Sequence, residues 1–137
     1  MIFKQATTKN DFRSSVYVRT IVFINELGYS PNDLYDDADN ISTIFLALDG
    51  ITPIGSGRIT IHDDVALISQ FCVIKEKRHK KYGTFLYQTM ENFIVDSGIS
   101  KILLNPGEDS LLFFEKLGFK FDFNNKDLGM MMEKKLK

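Results

Sequence analysis

The chain has a single cysteine, no tryptophan, three prolines and no excess of either charge. With Cys72 alone, an internal disulfide and a cysteine-built metal site are both excluded. Within its apolar run Cys72 reads as inert packing in preference to a nucleophile. The 17 Lys and Arg balance 18 Asp and Glu to a net charge of −1, so bulk electrostatics give no case for a nucleic-acid partner. No apolar run approaches the ~20 residues that span a bilayer, and no membrane partner is expected. Met1-Ile2-Phe3-Lys4-Gln5 lacks the basic and apolar regions of a signal peptide, so a cytoplasmic location is expected. His62-Asp63-Asp64 sets a histidine beside two aspartates, but three consecutive residues make poor ligand geometry, and no metal is expected.

What is present points to a packed unit of common domain size. A chain of 137 residues with 44% hydrophobic content and 12 phenylalanines can bury a core, and a single domain over residues 1–137 is expected. Ile2 to Ala6 reads as a strand. Thr7, Thr8 and Asn10 are capping types, and a helix follows from about Asp11 to Leu27, stopped by Gly28. Arg19 and Glu26 interrupt its apolar pattern, either at the edge of the stripe or facing a cleft. Asp33, Asp36, Asp37 and Asp39 then read as a solvated loop or, as the second choice, as the lining of an acceptor site. Thr43–Leu48 and Ile54–Ile61 read as strands around Asp49-Gly50, with Gly55 and Gly57 marking a bulge or close packing. Lys101–Asn105 reads as a buried strand. A helix with Phe113, Phe114 and Leu117 on its apolar face follows, and a hairpin is expected from Phe119 to Glu133.

The rest is arranged around Val65–Ser97. Val65 to Ile74 is mostly apolar, as a strand buried on both faces would be. A basic segment, Lys75-Glu76-Lys77-Arg78-His79-Lys80-Lys81, comes next. From Tyr82 the period becomes helical, with Leu86, Met90, Phe93 and Ile94 on one face. A cationic turn between a buried strand and a helix suits a phosphate, because the first helical amides lack partners and the helix dipole adds positive potential. A solvated basic loop is the plainer alternative.

Arg78-His79-Lys80-Lys81-Tyr82-Gly83 resembles the Arg/Gln-x-x-Gly-x-Gly/Ala loop of the GCN5-related N-acetyltransferases (GNAT), with Lys81 where the middle glycine usually stands. Val18-Arg19-Thr20-Ile21-Val22-Phe23-Ile24-Asn25-Glu26 and Gly55-Ser56-Gly57-Arg58 resemble stretches of the ElaA/YjcF-like branch, and Phe113-Phe114-Glu115-Lys116-Leu117-Gly118-Phe119 resembles the family's closing helix. The resemblance implies an α/β (α+β) fold: a mixed, mostly antiparallel sheet flanked by helices, with the fourth and fifth strands splayed apart. It also implies acetyl-CoA as cosubstrate and a primary amine of a small molecule or peptide as acceptor. Cofactor contacts would come from Phe71, Cys72, Val73, Arg78, His79, Lys80, Lys81, Tyr82, Gly83, Thr84, Asn105, Phe113 and Phe114. Arg19, Glu26 and Arg58 would meet the substrate.

The catalytic side chains depart from the family pattern. The usual tyrosine that protonates the leaving thiolate falls at Phe114, and a fourth-strand carboxylate falls near Ser69. Glu26 is the candidate base, with Ser69 and Tyr82 as further catalytic candidates and Tyr87 as a second possible acid. The leading expectation is an acyl-CoA-dependent N-acyltransferase. The alternatives are a non-catalytic acyl-CoA-binding or sensing module, and a nucleotide or nucleic-acid binder using the basic loop. The Phe-rich C-terminus leaves a homodimer open.

Overall fold

The computed structural model describes residues 1–34, 36–121 and 130–136. Strand β1 (Ile2–Gln5) leads into helix α1 (Lys9–Arg19), whose start is a capping box: Thr8 accepts from the Asp11 amide and Asp11 accepts from the Thr8 amide. The helix does not remain α-helical to Leu27 as expected. From Thr20 to Glu26 it continues as a π-helix, with the Leu27 amide reaching the Val22 carbonyl, and Gly28 closes it at φ 75°. The wider turn re-phases the last side chains, and such turns concentrate at functional sites.

A short helix α2 (Pro31–Leu34) and a 3₁₀ turn (Asp37–Ile41) precede strands β2 (Thr43–Asp49), β3 (Thr52–His62) and β4 (Val65–Val73). Helix α3 (Tyr82–Asp96), strand β5 (Lys101–Leu104), helix α4 (Leu111–Lys116) and strands β6 (Lys120–Phe121) and β7 (Met132–Lys135) complete the order. The seven strands form one sheet, β1-β2-β3-β4-β5-β7-β6, antiparallel throughout except for the parallel pair β4–β5. The expected C-terminal hairpin is present as β6 and β7; Phe123, Asn124, Asn125, Lys126 and Leu128 lie outside the described residues.

The two faces of the sheet are read from alternation. On β2, Ile44 and Leu46 pack with Ala6, whereas Phe45 and Ala47 join the main core with Leu86, Met90 and Ile94 of α3. Helix α1 covers the other face, where Ser15 and Ser56 share a buried hydrogen bond of 2.7 Å and Val18 and Val22 pack on Cys72. The bulge expected around Gly55 and Gly57 is a register shift between Ser56 and Arg58 in the β3–β4 ladder. Gly57 is needed there because a Cβ would lie 2.6 Å from Met90 Sδ and 3.2 Å from Phe71 Cδ2.

Candidate active site

The sheet opens at one place. β4 stays paired with β3 as far as Val73↔Gly55, but its ladder with β5 stops at Ile68↔Leu104. Ser69–Val73 and the segment after Leu104 therefore diverge, as the expected splay of strands four and five requires. Gln70 turns the strand here with φ 51°, a left-handed value for a residue that has a side chain. Asn105 stands exposed at the end of β5, across the opening.

The basic segment sits at the mouth of this gap. After the 3₁₀ turn Lys75–Lys77, Arg78 is extended, while His79 and Lys81 take φ 61° and 67°. Lys81 is the N-cap of α3 and makes no side-chain cap bond. The amides of Tyr82, Gly83 and Thr84 thus begin the helix without an intrahelical acceptor, beside the exposed side chains of His79, Lys80 and Lys81. Such an end is chemically suited to a phosphate. The approach at Gly83 is bordered by Phe113 and Val73, which a Cβ would meet at 3.4 Å and 3.6 Å. Phe71 of β4 lies against Phe113 and Phe114, with ring centroids 5.8 and 5.7 Å apart, and forms an aromatic base to the gap.

Two arginines organise the α1 side. Arg19, 2% exposed, donates from Nη2 to Asp39 at 2.8 Å and from Nη1 to Asp39 and Gln70. Arg58 donates from Nη1 to Asp36 at 2.7 Å and Asp39 at 3.0 Å, and from Nε to Ser69 at 2.9 Å. Gln70 in turn donates to the Leu34 carbonyl at 2.8 Å. Burial alone would push the Asp39 carboxyl up, but the bonds from Arg19 and Arg58 hold it below the ordinary value. Bonding from Arg58 does the same for Asp36. Asp36 and Asp39 are therefore strapped onto β3 and α1 through Arg58 and Arg19 instead of forming the solvated loop that composition favours. Arg58 is itself buried, so it holds both carboxylates from inside the fold.

Residues 13–119 match the model of the acetyltransferase (GNAT) family. The chain belongs to the GNAT family. YjcF, an uncharacterized N-acetyltransferase of Bacillus subtilis, is 27% identical over 115 residues, covering 84% of this chain and 82% of that one. Escherichia coli ElaA superposes with a TM-score of 0.77 at 17% identity over 97% of this chain and 98% of its own. The PaiA N-acetyltransferase of Thermoplasma acidophilum, solved in complex with coenzyme A, gives 0.74 at 20% identity over 98% and 99% of the two chains. The family and the N-acetyltransferase relative make this GNAT protein an acyltransferase enzyme.

The sequence candidates fall into two groups around the gap. Phe71, Cys72, Val73, Arg78, His79, Lys80, Lys81, Tyr82, Gly83, Thr84, Asn105, Phe113 and Phe114 belong to the splay, its loop and the aromatic base. Arg19, Arg58 and Ser69 belong to the arginine network. Glu26 reaches the first group from the end of the π-helix: its carboxylate accepts from Arg78 Nη1 and Nη2 at 2.7 and 2.6 Å, while Arg78 Nε donates to the Val73 carbonyl at 2.8 Å. That bonding holds the Glu26 carboxyl below the usual carboxylate range, against its burial.

Ser69 spends its oxygen on Arg58, and Tyr82 is half-buried at the first position of α3. Tyr87 is 1% exposed, its hydroxyl donates to Glu91 at 3.0 Å, and burial pushes its acidity down. Burial pushes the Cys72 thiol up to about 12, so it packs as an apolar residue. Among the described residues no group of three His, Cys, Asp or Glu could hold a metal ion. The residue that sequence reasoning passed over is Gln70, which ties Arg19 to Leu34 at the bend of β4; a polar side chain inside an otherwise apolar strand was its only signal.

Proposed function

We propose that this enzyme moves an acetyl group from acetyl-CoA to a primary amine of a small molecule or peptide by direct attack. One observation carries the reading: the β4–β5 ladder ends at Ile68↔Leu104, next to an uncapped helix start with cationic side chains. The gap suits an extended pantetheine arm pairing with main-chain groups of Phe71, Cys72 and Val73. The amides at 82–84, with Lys80 and Lys81, suit the pyrophosphate.

In the transfer, the amine nitrogen attacks the thioester carbonyl carbon and a tetrahedral oxyanion forms. A β4 amide polarises that oxygen. Collapse breaks the C–S bond, and the CoA thiolate leaves with a conjugate-acid pKa of about 8.5, so it needs little help from an acid at Phe114. The amine is the harder partner. A lysine-like amine is less than ~0.1% neutral at pH 7, so the reaction draws on that fraction and passes its proton to water. Ser69 and Glu26 are engaged by Arg58 and Arg78, which favours water over either as the first acceptor.

Calorimetric titration with acetyl-CoA, using desulfo-CoA and ATP as controls, tests the donor. Micromolar binding selective for the CoA compounds is expected, followed by CoA release in a panel of amines. Absence of binding would overturn the reading, and binding without turnover on any amine would leave only the CoA site standing.

A further inference from the structure

Glu26 and Arg78 are 52 residues apart, yet the last residue of the π-helix holds the strand-to-helix loop by a two-point ion pair. We propose that Glu26 is a positioning residue: it clamps Arg78 so that the backbone of residues 79–84 is held open for the CoA pyrophosphate. This rests on the reading that the loop takes that group.

The geometry of Arg78 is the first support. Three of its N–H groups are committed, Nε to the Val73 carbonyl at 2.8 Å and Nη1 and Nη2 to Glu26 at 2.7 and 2.6 Å. The guanidinium is thereby oriented by the last residue of β4 and by α1's π-helical extension, two parts of the fold that do not belong to the loop. A two-point fork of this kind fixes direction as well as distance.

The loop itself is the second support. His79 and Lys81 both sit in the left-handed region, at φ 61° and 67°, without being glycine. Residues with a Cβ keep such conformations only where the surroundings over-determine them. Downstream, α3 supplies that constraint. Upstream, the clamp fixes Arg78 directly before His79, and Lys77 Nζ ties the preceding 3₁₀ turn to Asp49 at 3.0 Å. A phosphate cradle made of main-chain amides binds well only if its shape is prepaid, which is what the clamp provides.

The π-helix is the third. Its 7 residues, Thr20–Glu26, carry Glu26 at their last position, and the chain leaves through the cap Leu27 and then Gly28. The Arg78 bonds also hold the Glu26 carboxyl below its ordinary value, which suits a permanent anion and not a proton acceptor.

Glu26→Gln and Arg78→Lys test this, with Glu26→Asp as the conservative rescue. Both disrupting variants are expected to raise the Kd for CoA and the KM for acetyl-CoA about tenfold, with kcat held within about twofold and its pH profile unmoved. Arg78→Lys keeps the charge and loses the fork, so retained affinity in that variant would mean that Arg78 acts only as a charge. In the ligand-free protein, amide hydrogen exchange at position 78 and at Phe85, the amides that donate to the Lys75 and Lys81 carbonyls, is expected to accelerate in both variants and to recover partly in Glu26→Asp. A collapse of kcat with unchanged Kd would overturn the clamp in favour of a base, and tighter CoA binding would overturn it in favour of a competing latch. If the unaltered protein binds no CoA compound the functional reading fails, while the exchange measurement still decides whether the clamp exists; unchanged exchange would remove it.

Discussion

Arg58 and Ser69 face one another across the β3–β4 ladder, and Arg58 Nε donates to Ser69 Oγ at 2.9 Å. The rest of that guanidinium reaches out of the sheet to Asp36 and Asp39, so a strand residue carries the segment before β2. Asp39 also serves Arg19, which makes it the shared carboxylate of two buried cations. Replacing it by alanine leaves Arg19 with Gln70 and Arg58 with Asp36. Breaking a buried pair from one side costs about 3–5 kcal/mol, and the partial exposure of Asp39 brings the expected loss in Asp39→Ala to about 2–3 kcal/mol. Urea unfolding measures it. Exposed Asp37 is the control, with an expected change of about 0.5 kcal/mol or less in Asp37→Ala.

The carboxylates held by hydrogen bonds and cations predict an acid limb. Thr7's amide, with Lys4 and Thr8, holds Asp11 at about 2 against an ordinary 3.8. Asp36, Asp39 and Glu26 are lowered as well. A carboxyl with a lower pKa in the folded state leaves the unfolded chain binding more protons, so folding weakens as acid is added. Stability should be level above the ordinary carboxylate values and should fall as the pH drops below 4.5 towards about 2. Denaturant midpoints taken across that range check the sign; a midpoint that stays level down to the lower limit would mean that these ion pairs contribute nothing.

Gly57 joins the core to the gap. A methyl group there would meet Met90 Sδ at 2.6 Å, Met90 Cε at 2.7 Å and Phe71 Cδ2 at 3.2 Å. Met90 is flexible but fully buried, so it can yield only into packed neighbours. Gly57→Ala is expected to cost about 1–3 kcal/mol, the range for overpacking, and to weaken CoA binding by displacing Phe71. Thermal unfolding together with a CoA titration separates the two effects.

Much of this architecture was legible in the sequence, because its signals are local. Gly28 and Asp49-Gly50 punctuate the chain, and the change of period at Tyr82 marks where strand gives way to helix. The π-helix escaped because residues 19–26 keep an apolar spacing that an α-helix would share. The arginine straps escaped because they are not local: Arg58 meets Asp36 across 22 residues and Glu26 meets Arg78 across 52. Tyr87 could be named as an acid from its residue type alone, but its burial and the bond from its hydroxyl to Glu91, one turn on, could not be read from it. The position of the loop could be read from its basic residues, but the left-handed turns at His79 and Lys81 could not, since neither residue type asks for them.

Gly83 separates ligand approach from protein stability. An added Cβ would stand 3.4 and 3.5 Å from Phe113 and 3.6 Å from Val73, all ordinary contacts, and the backbone at this position is helical. Alanine is the better helix former by up to about 1 kcal/mol, so Gly83→Ala should unfold at the same temperature as the unaltered protein or slightly above it. The same methyl group would occupy the approach to the second amide of α3. CoA affinity should therefore fall, and more steeply in Gly83→Val, while the melting temperature of the alanine variant holds. Loss of affinity without loss of stability ties the phosphate to this helix start. Unchanged affinity in both variants would place the phosphate elsewhere, whatever the remainder of the loop contributes.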